Sequence, residues 1–125
     1  MSSCTLIPLA RPTFDVAAAQ RFFDSARAVL TDVGATINGP TSLVMTPEDT
    51  ASAEANLKHD EKLYILFNAS FADASAAVSL LSKVSGEVLL WSVREFGEVG
   101  DRLLLNSMCG SNLAAHALRL NGKRI

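Results

Sequence analysis

The stretch "KLYILFNAS", residues 62–70, decides the fold. From Leu63 to Phe67 every side chain is apolar or aromatic. A strand with one wet face alternates apolar and polar residues. A run that is apolar at every position belongs to a strand covered on both faces, and such strands occur in parallel sheets with helices above and below. Working outward, "CTLIPLA" (4–10) and "EVLLWSV" (87–93) read as two further buried strands. "ATIN" (35–38) reads as a short one stopped by Gly39-Pro40, and "RLLLNS" (102–107) as a shorter fifth candidate. "SLVM" (42–45) fits no single pattern.

Helical patterns fill the gaps between these strands. In "TFDVAAAQRFFDSARAVLTDVG" (13–34), Ala19, Phe22, Phe23, Ala26, Val29, Leu30 and Val33 follow the i, i+3, i+4, i+7 spacing of one helix face. Thr13 is placed to cap its start, and Gly34 its end. "TPEDTASAEANLK" (46–58) opens with Thr46 as N-cap, Pro47 in the first turn, and two carboxylates where the helix dipole favours them. Asp73 precedes the helical "ASAAVSLLSKV" (74–84) as its cap, and "NSMCGSNLAAHALRLNG" (106–122) is a last helix closed by Gly122. The alternation predicts a three-layer α/β/α architecture over residues 1–125 as a single domain. Its parallel sheet has four to five strands in the flavodoxin-like order 2-1-3-4. Ligands of such folds sit beyond the carboxyl ends of the strands. Arg11 to Thr13, Gly39-Pro40, Asn68 to Asp73 and Trp91 to Glu95 are therefore the segments to test.

Several functions of this fold fail that test. A dinucleotide site needs a glycine-rich turn after the first strand so that backbone can approach a pyrophosphate. The turn here is "LARPTFD", without glycine, which also removes a P-loop. A phosphorylatable receiver domain needs clustered carboxylates at the ends of strands one and three, and strand three ends in Asn68-Ala69-Ser70. The net charge of -2, with no run of Lys or Arg, speaks against nucleic acid. No stretch approaches the ~20 apolar residues of a membrane span, and the N-terminus lacks the pattern of a signal peptide. Cys4 and Cys109 supply neither a disulfide framework nor a metal quartet, and read as buried free thiols in a reducing, cytoplasmic setting. His59, Asp60 and Glu61 lie in the polar loop "LKHDEK" and read as solvated surface charge. No metal site is expected in this chain.

The last helix carries Cys109, Asn112 and His116, a set of letters that suggests nucleophilic chemistry. Helix geometry argues against it. Residues seven apart share a face but are separated by about 10 Å along the axis, whereas a nucleophile and its base sit about 3 Å apart. His116 shares the stripe of Leu113 and Leu120 and is expected to pack or to face another domain. The stretch is expected to border the strand ends at Asn106 to Asn112. Two other residues carry more weight. Arg11 follows the first strand directly and can donate several hydrogen bonds to hydroxyls or a carboxylate, or serve as a surface or capping residue. Trp91, near the end of strand four, offers an aromatic face for a sugar or a core side chain.

Four blocks in register, "LIPLARPTFD" (6–15), "NASFADAS" (68–75), "VLLWSVRE" (88–95) and "RLLLNSMCGSNLAAHAL" (102–118), resemble the N-terminal domain of the L-fucose isomerase and L-arabinose isomerase superfamily. The resemblance covers nearly the whole chain. It implies enzymes that interconvert aldoses and ketoses with a divalent metal, usually Mn²⁺, polarising the substrate oxygens. It further implies that the first domain holds no metal, joins an oligomer, and reaches into a neighbouring subunit's active site with an arginine after strand one and a tryptophan after strand four. Those two positions correspond to Arg11 and Trp91. The metal ligands of the family lie in later domains, so this chain is expected to have no catalytic residue, no cofactor of its own and no isomerase activity alone. A substrate-capping and oligomerising domain is the leading expectation. A stand-alone sugar-binding module and a purely structural assembly domain are the alternatives.

Overall fold

A computed structural model describes residues 2–125. The elements alternate as expected: β1 (Ser3–Leu9), α1 (Val16–Asp32), β2 (Thr36–Asn38), α2 (Pro47–Ala55), β3 (Leu63–Asn68), α3 (Ser75–Leu81), β4 (Glu87–Ser92) and α4 (Ser107–Leu120). All strands are parallel, in the order β2-β1-β3-β4. The register places Leu66 of β3 between Ile7 of β1 and Leu90 of β4.

β3 is central because its side chains feed two cores. Tyr64 and Leu66 point to one face, where they meet Ile7, Leu9, Leu80 of α3 and Leu118 of α4. Ile65 and Phe67 point to the other, against Leu6 and against Ala19, Phe23 and Ala26 of α1. α1 is the helix that covers this second face, joined by Leu43 and Leu105 from the connecting segments, while α2, α3 and α4 contribute side chains to the first. Each fully buried side chain such as Phe23 or Leu66 contributes roughly 1.5–3 kcal/mol of hydrophobic stabilisation.

The local signals of the sequence mostly act where they stand. Thr46 and Asp49 form a reciprocal capping box at the start of α2, with Pro47 in its first turn. Gly34 ends α1 at φ +90°, in the left-handed region that an L side chain rarely adopts. Asp73 is not the N-cap expected of α3: that position is Ala74, which makes no side-chain cap bond, while Asp73 one residue earlier accepts from the Ser75 backbone N–H at 2.9 Å and from the Ser75 hydroxyl.

Five further expectations are corrected. The cap of α1 is Asp15, whose carboxylate accepts from Ala18 N–H at 3.0 Å, not Thr13. A turn closed by Phe14 N–H on Arg11 C=O delays the helix start by two residues. The apolar stripe of α1 is not buried throughout, since Val29 and Val33 are exposed. "RLLLNS" forms no strand: the backbone N–H groups of Leu104, Leu105 and Asn106 go to the Glu95 carboxylate instead of a ladder. β4 is thereby an edge strand, not a fully buried one, and Leu89 is 50% exposed. Glu61, expected as surface charge, is buried; its carboxylate accepts from Ser3 Oγ at 3.0 Å and Asn38 Nδ2 at 2.8 Å, and pairs with Lys58. The ambiguous "SLVM" docks beside β1 through a bridge between Leu9 and Val44.

Candidate functional site

The carboxyl end of the sheet is built from the ends of β1 and β3 and the starts of α2, α3 and α4. Val44 N–H bonds Pro8 C=O at 2.8 Å and Ala10 N–H bonds Val44 C=O at 3.2 Å, so the segment before α2 is stitched to the end of β1. Between them and α3 lies a cleft of about 400 Å³. Arg11, Thr46, Thr50, Glu54, Asp73 and Ser75 supply its polar lining, and Leu9, Met45 and Ala72 its apolar lining. Volume and lining suit a small, hydroxyl-rich molecule.

Arg11 is exposed at the rim of this cleft. Its backbone N–H is anchored on Ser70 Oγ at 3.0 Å, and its guanidinium lies 5.7 Å from the centre of the Phe71 ring. This stacking orients the side chain while leaving its donors free. Beside it, the Asp73 carboxyl is held below the usual carboxylate range. The Ser75 hydroxyl and then the Ser75 backbone N–H do most of this against the opposing effect of burial, and the charge of Arg11 adds to it. The cleft thus presents a fixed cation next to a fixed anion.

Trp91 does not line that cleft. Alternation along β4 turns its ring to the α1 face, where it packs edge-on against Phe67 with ring centres 5.3 Å apart and remains partly exposed. Arg11 and Trp91 both lie at the carboxyl end of the sheet, but the structure does not bring them into one pocket.

The last helix is attached to the same end by contacts that the letters did not reveal. Asn68, fully buried at the end of β3, accepts from Ser111 Oγ at 3.1 Å on its side chain, and from Ser107 Oγ on its backbone oxygen. Ser107 Oγ in turn accepts from Val93 N–H at 2.9 Å. A Cβ on Gly110 would sit 2.9 Å from Asn68 Nδ2, so the helix approaches this closely only because Gly110 has none. Among the described residues the Nδ2 group itself has no partner. The start of α4 therefore borders the strand ends as expected, with Ser107, Gly110 and Ser111 as the contact face. A small-residue spacing, S-x-x-G-S, was the available signal. Cys109 and His116 point away from this face; both are exposed, which corrects the buried thiol expected at Cys109 and places His116 outside the chain's own core. Cys4 is buried, and burial followed by the nearby Glu61 charge pushes its thiol up.

Glu95 closes one of the four segments singled out at the strand ends, but its role is not legible in the sequence. Its carboxylate receives Leu104, Leu105 and Asn106 N–H groups at 2.9–3.0 Å and holds residues 95–106 as a strap ahead of α4. Burial on its own raises this carboxyl. The backbone donors of Asn106, Leu105, Leu104 and Phe96 together outweigh it, and the net direction is down. Asn106, in the left-handed region at φ 52°, makes no side-chain cap.

Among the described residues no group of three or more His, Cys, Asp or Glu side chains is placed to hold a metal ion. The donor set present here does not fit the Mn²⁺ that the resemblance places in later domains. No helix of the described residues is long and apolar enough to cross a membrane.

The chain is 34% identical over 119 residues to a sulfoquinovose isomerase of Clostridium sp. (strain MSTE9), covering 93% of this chain and 26% of that protein. It is 31% identical over 114 residues to the sulfoquinovose isomerase of Priestia megaterium, covering 90% of this chain and 25% of the relative. A sulfoquinovose isomerase of Alkalicoccus urumqiensis is 31% identical over 121 residues, with 97% and 27% covered. The chain spans about a quarter of the length of the curated relatives it matches. It is similar, across almost all of its own length, to a small part of a sugar isomerase. No protein-family profile matches it, and no solved structure does.

Proposed function

We propose that this chain is the substrate-capping and oligomerising part of a sugar aldose–ketose isomerase of the broader fucose and arabinose isomerase type, without isomerase activity on its own. The observation that carries the reading is the match of 90–97% of the chain to about a quarter of each relative. In this reading Arg11 and Trp91 face the sugar from opposite sides of the sheet end, and a neighbouring subunit or a further domain completes the surface between them. Arg11 suits a sugar bearing an anionic group, such as the sulfo group in the relatives' name, because guanidinium donors match planar sets of oxygens. An exposed free Cys109 fits a reducing, cytoplasmic setting.

A second reading, a stand-alone sugar-binding module, is favoured by one observation: the Arg11 cleft is formed wholly within this chain. Titration calorimetry of the isolated chain with sulfoquinovose, a 6-deoxyhexose and a pentose, each with and without Mn²⁺, separates the two. The capping reading expects no heat above millimolar affinity and no ketose product in any mixture. Metal-independent binding abolished by Arg11→Ala establishes the module instead, and isomerisation by the chain alone overturns both.

A further inference from the structure

The sequence of α2, "PEDTASAEA", carries no large apolar side chain, and the helix buries none of its residues. Alanines and serines are too short to fill the space between a helix and a sheet, so a gap is left beneath it. That gap is a cavity of about 350 Å³ between β1 and α2. It is distinct from the Arg11 cleft, which lies on the other flank of the same helix. Ser52, Ala53 and Asn56 line the cavity, whereas Pro47, Thr50 and Glu54 line the cleft. Thr5 and Ile7 of β1 and Leu80 of α3 form the inner wall. The outer wall is the turn from Gly39 to Val44. A Cβ on Gly39 would collide with the Leu6 backbone, so this wall lies directly against β1.

Thr5 is the residue that points to a ligand. Alternation along β1 turns it to the face of Ile7 and Leu9, where the cavity lies. It is 1% exposed, and among the described residues its hydroxyl has no hydrogen-bond partner. Buried hydroxyls are normally paired. The lining holds two charged residues, and both are engaged within the chain. The Asp49 carboxylate accepts from Met45 and Thr46 N–H at 2.9 and 3.1 Å, and Lys58 pairs with Glu61 at 3.3 Å. What remains to meet a ligand is the hydroxyls of Thr5, Thr41, Ser42 and Ser52 and the amide oxygen of Asn56, over an apolar inner wall. Hydroxyls and an amide oxygen suit a neutral partner that both donates and accepts. We propose that this cavity is a second binding site, which takes a neutral polyol or monosaccharide with one of its hydroxyls bonded to Thr5. The Arg11 cleft, with its cation beside an anion, suits a different ligand, and the second site stands whether or not Arg11 touches a sugar.

Amide chemical shifts of the chain, titrated with xylitol and with glucose, test it. Saturable changes are expected at Thr5, Ser42, Ser52 and Asn56, and not at Thr46, Thr50 or Ser75, which line only the Arg11 cleft. Thr5→Val keeps the shape of the side chain and removes the hydroxyl. It is expected to weaken binding about tenfold or more. It is not expected to lower the melting temperature, because no bond within the chain is lost. Ala53→Leu puts a larger side chain into the cavity from the α2 side and is expected to abolish the shifts. No saturable change with either probe up to about 100 mM overturns the proposal, and so does a Thr5→Val chain that binds as the parent does. A Thr5→Val chain that melts lower and binds neither probe, beside a parent that also binds neither, assigns the hydroxyl to an ordered water only. Changes confined to Thr46, Thr50 and Ser75 assign the probe to the Arg11 cleft and overturn the second site.

Discussion

Glu61 and Glu95 are both carboxylates drawn into the fold, and they are satisfied in opposite ways. Glu61 sits at the amino end of the sheet and collects side-chain donors from three separate segments: Ser3 of β1, Asn38 of β2 and Lys58 after α2. Glu95 sits at the carboxyl end and collects backbone N–H groups from the consecutive residues Leu104, Leu105 and Asn106. The first fastens strands to one another. The second folds a strap onto itself and presents α4 to the end of β3. Removing the first should weaken the whole sheet, while removing the second should loosen one segment.

The largest effect is expected at Glu61. Glu61→Ala leaves the half-buried Asn38 amide without its acceptor, while the exposed Ser3 hydroxyl turns to water, so a loss of about 1.5–3 kcal/mol is expected in urea unfolding. The Lys58 pair adds little to that sum, because Lys58 is half exposed. An unchanged urea midpoint would show that the amino end of the sheet does not depend on this knot. Glu95→Ala is expected to lower global stability by only about 1–2 kcal/mol, in the range of a lost helix cap. Its signature is local: amides of Leu104 to Asn106 should exchange faster while those of β1 and β3 do not. Glu95→Gln, which keeps one acceptor oxygen, should recover part of that protection. Acidification gives the smallest effect. The folded-state pKa of Glu95 lies below its unfolded value, so its stabilisation is complete above about pH 4.3 and is lost as the pH falls through the folded value. Exchange at 104–106 measured at pH 6 and at pH 3.5 should show the loss, and Glu95→Gln should abolish the pH dependence.

The two carboxylates also show why one part of the molecule was legible in the sequence and another was not. Glu61 lies in "HDEK", among residues that read as surface charge, and nothing local marks it as buried. Its burial follows from where β1 begins and β2 ends in space. Glu95 is nine to eleven residues from the amides it binds, too far for a capping pattern and too close to look like a tertiary contact. The same blind spot produced the fifth strand expected at "RLLLNS". Apolar content alone cannot distinguish backbone paired with a neighbouring strand from backbone captured by a carboxylate. For the candidate site, Arg11 and Trp91 were legible as positions at strand ends. Their separation on two faces of the sheet follows from the one-residue alternation of β1 and β4, combined with which helices cover each face.

By itself the sequence determined the alternation of strands and helices, the parallel order β2-β1-β3-β4, the N-cap at Thr46 and the glycine end of α1. These rest on short-range causes: periodicity, side-chain to backbone bonds within one turn, and backbone angles open to glycine. Only the tertiary structure decided that Glu61 is buried, that Glu95 holds a strap, that Asn68 receives α4 through Ser107, Gly110 and Ser111, and that the β4 edge is open. Each of those pairs groups from different segments, and no local pattern encodes the partner of a polar group that lies across the fold.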